Sequence, residues 1–168
     1  MNARKSLVFV ALAFAGIAPV HAQDSKGRIT VMTFKSSETG MGAKAAEELR
    51  NQIKDKFDIK DLYVLPTKDV SNTLVQSGFS ATEPLAPNDE KALATLLRAD
   101  EFVSGTVEKA ATGDYTVNAR LVLARDITLS QALPAATNRK IGDAMDAVSK
   151  SVRDALKQMD GEKECVAK

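Results

Sequence analysis

Tryptophan is absent from this 168-residue chain, histidine occurs once, as His21, and cysteine once, as Cys165. If His21 is removed by processing, no histidine remains to activate a Ser-His-Asp or Cys-His nucleophile. Zinc sites built from His and Cys need three or four such ligands and have no source here. A single cysteine forms no intrachain disulfide, so packing must hold the fold. Excess charge is missing as well: 23 Lys plus Arg stand against 22 Asp plus Glu. No basic run exceeds two residues, and beyond the amino-terminal Arg4-Lys5 there is only Arg139-Lys140, which is no nucleic-acid footprint, so no nucleic-acid partner is expected.

What the chain does have begins at its amino terminus. Arg4 and Lys5, the apolar run from Leu7 to Ala18 and the small-x-small sequence Val20-His21-Ala22 are the three parts of a cleavable secretory signal. The apolar run is shorter than the roughly 20 residues that span a bilayer. The expected organisation is a signal peptide at 1–22, a single domain at 23–160 and a charged tail or truncated linker at 161–168. Gln23 stands where a lipoprotein would carry its lipidated cysteine, so the expectation is a periplasmic or secreted protein without membrane insertion. In an oxidising compartment Cys165 is either a free thiol or half of an intermolecular disulfide.

Periodicity gives the elements. Arg28 to Lys35 is a strand apolar on both faces. Ala43 to Phe57 repeats apolar residues at helical spacing through Ala46, Leu49, Ile53 and Phe57. Leu62 to Leu65 is a second strand ended by Pro66. Two strands joined by one helix predict a parallel pair with a right-handed crossover. Thr67 to Ser77 is a short helix with Thr67 as N-cap and Val70, Leu74 and Val75 inward, stopping at Gly78. Phe79 to Pro87 is loop, and Asn88 caps a helix over 89–98 with Ala92, Leu93, Leu96 and Leu97 inward. Strict alternation in 101–125, broken at Thr112-Gly113-Asp114, predicts an antiparallel hairpin with one buried face. Thr128 to Leu133 is a weaker edge strand. Ile141, Met145, Val148, Val152, Leu156 and Met159 mark a closing helix over 139–159, ended by Gly161. The fold class is α/β (α+β), a mixed sheet of about four to five strands covered by amphipathic helices in the order β-α-β-α-α-β-β-(β)-α.

The run ITVMTF, then LYVLP, ALATLLRADEFVSGTVEK and YTVNARLVLA, resembles the small envelope domain at the amino terminus of TolB-like proteins, with related forms in CsgG- and FlgO-like proteins. Ala99-Asp100, Phe102-Val103 and Gly105-Thr106-Val107 carry the most specific part of the likeness, a step from helix into strand. The resemblance implies a bacterial envelope setting and brings no catalytic residues with it. CsgG- and FlgO-like members are usually lipoproteins, which Gln23 breaks, and TolB-like proteins continue into a β-propeller, which this chain does not. The tail from Gly161 also looks similar to the linker before tetratricopeptide repeats in longer secreted relatives.

Gly40-Met41-Gly42-Ala43-Lys44-Ala45 has the G-x-G-x-x-A form of a dinucleotide loop. Ser36 to Thr39 separate it from the strand and remove the tight turn that such a site needs. As a Walker A loop it is too short and has Ala45 where Ser or Thr would hold magnesium. Acidic pairs such as Glu47-Glu48, Asp100-Glu101 and Asp143-Asp146 lack calcium-loop spacing. No cofactor, metal or catalytic residue is therefore assigned. The candidate partner or ligand contacts are Gly40, Gly42, Phe79 and Leu85, in the two long polar loops. The reading is a non-catalytic binding or scaffold domain that meets an envelope protein or peptide, with the strand near Thr128 to Leu133 as an open edge for a partner strand. A small-ligand site or enzyme centre at Ser36 to Gly42, and a spacer for a missing repeat region, are the alternatives.

Overall fold

The computed structural model describes residues 27–166; the expected signal at 1–22 lies outside the described residues. The elements are β1 (Arg28–Val31), α1 (Met41–Lys56), β2 (Tyr63–Val64), α2 (Thr67–Gln76), α3 (Pro87–Leu96), β3 (Glu101–Lys109), β4 (Tyr115–Leu123), β5 (Asp126–Ala132), β6 (Ala136–Asn138) and α4 (Ile141–Val166). The sheet runs β2-β1-β3-β4-β5, with β6 also paired to β4. β1 is parallel to both β2 and β3, while β3, β4 and β5 are successively antiparallel. The α+β architecture is the expected one, and the parallel pair joined through α1 is present. β6 is additional: after Pro134 the chain returns to pair Ala136 with Val117 and Asn138 with Tyr115.

Two cores follow from strands that are apolar on both faces. α1 and α4 cover one face, burying Ile29, Val31, Leu49, Ile53, Val103, Leu121, Met145, Val148 and Val152. α2 and α3 cover part of the other, burying Met32, Val70, Leu74, Leu93, Leu97, Phe102 and Val122. The hairpin is therefore buried on both faces at its Phe102 and Val122 end, not on one face throughout, because α3 packs back over it.

A bulge in the first strand explains where Phe34 goes. Val31 pairs with Val103 and Lys35 with Thr106, so the β1 side carries one more residue than β3 over that interval. Strict alternation from Ile29 and Val31 would put Thr33 on the α1/α4 face; the extra residue shifts the phase and Phe34 is buried there instead. Gly42 sits directly against it. A Cβ at position 42 would stand 1.9 Å from the Phe34 carbonyl oxygen, so only glycine lets α1 start that close to β1.

Several helix ends differ from expectation. Pro66 rather than Thr67 occupies the N-cap of α2, and Ala86 rather than Asn88 that of α3, with Pro87 in the first turn. Proline at the first helical position needs no acceptor for its missing N–H, which moves the start upstream of Asn88. α2 does end at Gly78, whose φ is +80°; the Phe79 N–H reaches the Leu74 carbonyl at 2.9 Å, a left-handed C-cap. Val75 and Leu96, expected inward, are 64% and 63% exposed, and Ala92 is exposed too. Leu93, Ala94 and Glu90 take the inner positions of α3 instead. α4 passes through Gly161 to Val166 rather than ending there. Gly161 has ordinary backbone, since the left-handed glycines are Gly40, Gly78 and Gly113.

Candidate functional site

α2 and α3 cover only part of their face of the sheet. Beyond Phe102 and Val122 the same phase of alternation continues as Ser104 and Thr106 on β3, opposite Arg120 and Asn118 on β4, with Ala132 of β5 opposite Arg120. These side chains floor a cleft of about 410 Å³, walled by Lys35, Leu85, Pro87 and Glu90. The polar residues share one face because of the period of two in a strand.

Glu90 is the unusual member. It is 5% exposed on the first turns of α3. Burial holds its carboxyl above the usual carboxylate range, with Arg120, a hydrogen bond from Ser104 and Lys35 pulling it back. The Arg120 Nε–H donates to Ser104 Oγ at 3.4 Å. Lys35 and Arg120 are themselves exposed, and neither makes an ion pair among the described residues. The cleft thus has a cationic rim over a buried carboxyl, on a floor of hydroxyl and amide groups.

The free edge of the sheet borders this cleft. β5 is seven residues long (DITLSQA) and, among the described residues, is paired on one side only, to β4. The Leu133 N–H donates to the Ala119 carbonyl at 2.9 Å, and Arg120 pairs with Ala132 and Val122 with Ser130. Antiparallel hydrogen bonding alternates, so the N–H groups of Ser130 and Ala132 face away from β4, and both residues are exposed.

Of the residues singled out from sequence, Leu85 lines this cleft and is buried with the α2/α3 core. Phe79 is 39% exposed just past the end of α2 and is not part of the cleft lining. Gly40 and Gly42 line a separate, smaller cleft of about 240 Å³ with Glu38, Thr82 and Pro84. The two candidate loops, Ser36 to Gly42 and Phe79 to Pro87, therefore meet each other, although they are far apart in sequence. Both glycines have backbone reasons: Gly40 has φ +75° ahead of α1, and Gly42 makes the close approach already described. Sequence reading missed Lys35, Glu90, Ser104, Thr106, Asn118 and Arg120. Their common phase on the hairpin was visible, but which helix would stop short of covering them was not.

No family model matches the chain, and no curated protein matches it. Solved structures do. The LpoB C-terminal domain from Salmonella enterica superposes with a TM-score of 0.52 at 14% identity, over 71% of this chain and 87% of that one. LpoB from Escherichia coli, solved by NMR, gives 0.51 at 15% identity, over 82% and 81%. TolB from Acinetobacter baumannii gives 0.42 at 10%, over 79% of this chain and 28% of that one, too low to bear on the argument. At such identities what is shared is the fold, and it is the LpoB fold that this chain is similar to. The CsgG- and FlgO-like assignment stays an expectation of the sequence.

Proposed function

We propose that this chain is a non-catalytic binding domain of the bacterial envelope that takes an extended segment of a partner protein onto the outer edge of β5. The observation that carries the reading is the state of that edge. A free strand edge is a hazard that proteins normally blunt with shortness, lysine or proline. At the opposite side of the sheet β2 is blunted in this way, being two residues long and followed by Pro66. β5 has no lysine and no proline inside its seven residues, and although its pairing with β4 shifts register toward Asp126, it is regular over Ser130 to Ala132. An added strand would satisfy the outward N–H groups of Ser130 and Ala132 and lay alternate side chains beside Ala132, toward the cations Arg120 and Lys35. An acidic residue in the partner strand suits that rim.

The expected export signal, the envelope resemblance and the similarity to LpoB support the setting. The ligand alternative at Ser36 to Gly42 is weakened because Gly40 and Gly42 are explained by backbone geometry alone.

The test uses proline as a probe of direction. Ser130→Pro removes an outward donor and leaves the β4 ladder intact, which an edge strand tolerates. Residues 23–168, wild type and variant, are used to capture proteins from an envelope extract of the host. Retention of a specific protein by the wild type and its loss with a Ser130→Pro variant of unchanged melting temperature is the expected result. Equal retention by both refutes edge pairing.

A further inference from the structure

Among the described residues Arg50 is a buried positive charge without an ion-pair partner. Arg50, on α1, is 6% exposed. Its Nη1 donates to Thr67 Oγ1 at 2.8 Å and its Nη2 to the Val31 carbonyl at 2.8 Å, while Nε is buried with no acceptor. Among the described residues no carboxylate lies within ion-pair distance of it. Burial pushes its pKa down to about 10, with Glu47 acting against that, so it remains charged at neutral pH. Buried arginines are ordinarily paired, because an uncompensated charge in the interior is expensive.

A second positive feature stands at the same place. Thr67, which accepts from Arg50, is the first residue of the ten-residue helix α2, and no side chain caps that end. The Asp69 and Val70 N–H groups donate to the Pro66 carbonyl at 3.1 and 3.2 Å, which leaves the Thr67 and Lys68 N–H groups at the positive end of the helix dipole, with Asp69 the one acidic residue of that turn. A cavity of about 590 Å³ opens here. Arg50, Lys54 and Thr67 are among its polar lining, and Ile59, Leu62 and Val64 among its apolar lining. Ile59 is 48% exposed.

We propose that this cavity binds a carboxylate carried on an apolar body. Arg50 and the Thr67 and Lys68 N–H groups take the oxygens, and Ile59, Leu62 and Val64 receive the apolar part. A planar guanidinium matches a carboxylate, and the aliphatic lining selects against a bare inorganic anion. The terminal carboxylate of a peptide ending in an apolar residue and a fatty carboxylate both present this chemistry.

The experiment titrates N-acetyl-leucine, N-acetyl-leucinamide and octanoate into residues 23–168 and follows amide and methyl NMR signals. The carboxylates are expected to give saturable shifts at the Thr67 and Lys68 amides and at the methyls of Ile59, Leu62 and Val64. The amide should bind about tenfold or more weakly, the worth of a charge-assisted hydrogen bond. Tighter binding of N-acetyl-leucine than of octanoate identifies a peptide terminus, and the reverse order a fatty acid. Equal affinity for acid and amide, or no saturable shift at Thr67 with either carboxylate, overturns the proposal. Arg50→Met should cost about tenfold. Should that variant not fold, Thr67→Pro serves, since Pro66 already has the extended φ of −63° and ψ of 145° that a following proline requires. It removes one N–H and the hydroxyl, and is expected to weaken carboxylate binding about threefold or more; unchanged affinity contradicts the assignment.

Discussion

Replacing Gly42 by alanine separates a structural glycine from a ligand-binding one. In a helix the change alone is favourable by up to about 1 kcal/mol, because alanine loses less backbone entropy. Against it, the new Cβ would meet the Phe34 carbonyl oxygen at 1.9 Å and the carbonyl carbon at 2.9 Å. Neither is the end of a flexible side chain. To bring the first contact even to 3.0 Å, α1 or the bulged strand must give by about 1 Å, in a region where Phe34 is 1% exposed and Leu49 wholly buried. Overpacking of that kind costs about 1–3 kcal/mol, and the rigidity of both backbones puts Gly42→Ala at the upper end. The net expectation is destabilisation by about 2 kcal/mol. Gly161→Ala is the internal control: it lies in α4 with nothing within 4 Å of the added Cβ, so only the propensity gain of about 0.5–1 kcal/mol remains. Urea unfolding followed by circular dichroism, with the midpoints compared at common slope, reads both. A Gly42→Ala protein as stable as wild type or more so would refute the close-approach argument and reopen a ligand role for that loop.

Three further outcomes follow from the same geometry. Because burial raises the Glu90 pKa in the folded state, the folded protein binds more protons than the unfolded one between the ordinary carboxylate value and the raised one. The stabilising contribution is therefore present below the unfolded pKa and is lost as pH rises through that window; stability curves of wild type and Glu90→Gln should diverge across it, and parallel curves would contradict the assignment. Phe102→Ala should cost about 3–5 kcal/mol, since Phe102 is 1% exposed between α3 and the sheet; a loss below 1 kcal/mol in urea unfolding would mean that α3 does not pack there. Val75→Lys and Leu96→Lys, at exposed positions, should each leave the unfolding midpoint within about 0.5 kcal/mol of wild type, and a large loss at either would show that the side chain is covered.

Much of the fold was legible because long periodic stretches over-determine their elements. The alternation through Val103, Val107, Val117, Leu121 and Leu123 fixed the hairpin, and the stripe from Ile141 to Met159 fixed α4. The short pieces were not legible. β6 has three residues and exists through its pairing with β4, a tertiary fact. The β1 bulge moves Phe34 to the other face without any mark in the local pattern. Val75 and Leu96 fit the apolar phase of their helices but sit at the margin of a small second core that ends before reaching them. For the candidate site the edge strand was read from sequence near Thr128 to Leu133, whereas the cleft beside it depends on where α3 stops over the hairpin. Arg50 gave no signal, since one arginine on a charged helix reads as a solvated face.

Hydrogen exchange at the two outward amides of β5 tests the central claim most directly. In the isolated domain the Ser130 and Ala132 N–H groups have no strand partner and should exchange fast, whereas Gln131, inside the β4 ladder, should be protected. In complex with the envelope protein that the domain retains, the account predicts slow exchange at Ser130 and Ala132 with Gln131 unchanged. Full complex formation with both outward amides still exchanging freely would contradict it and place the contact elsewhere on the molecule.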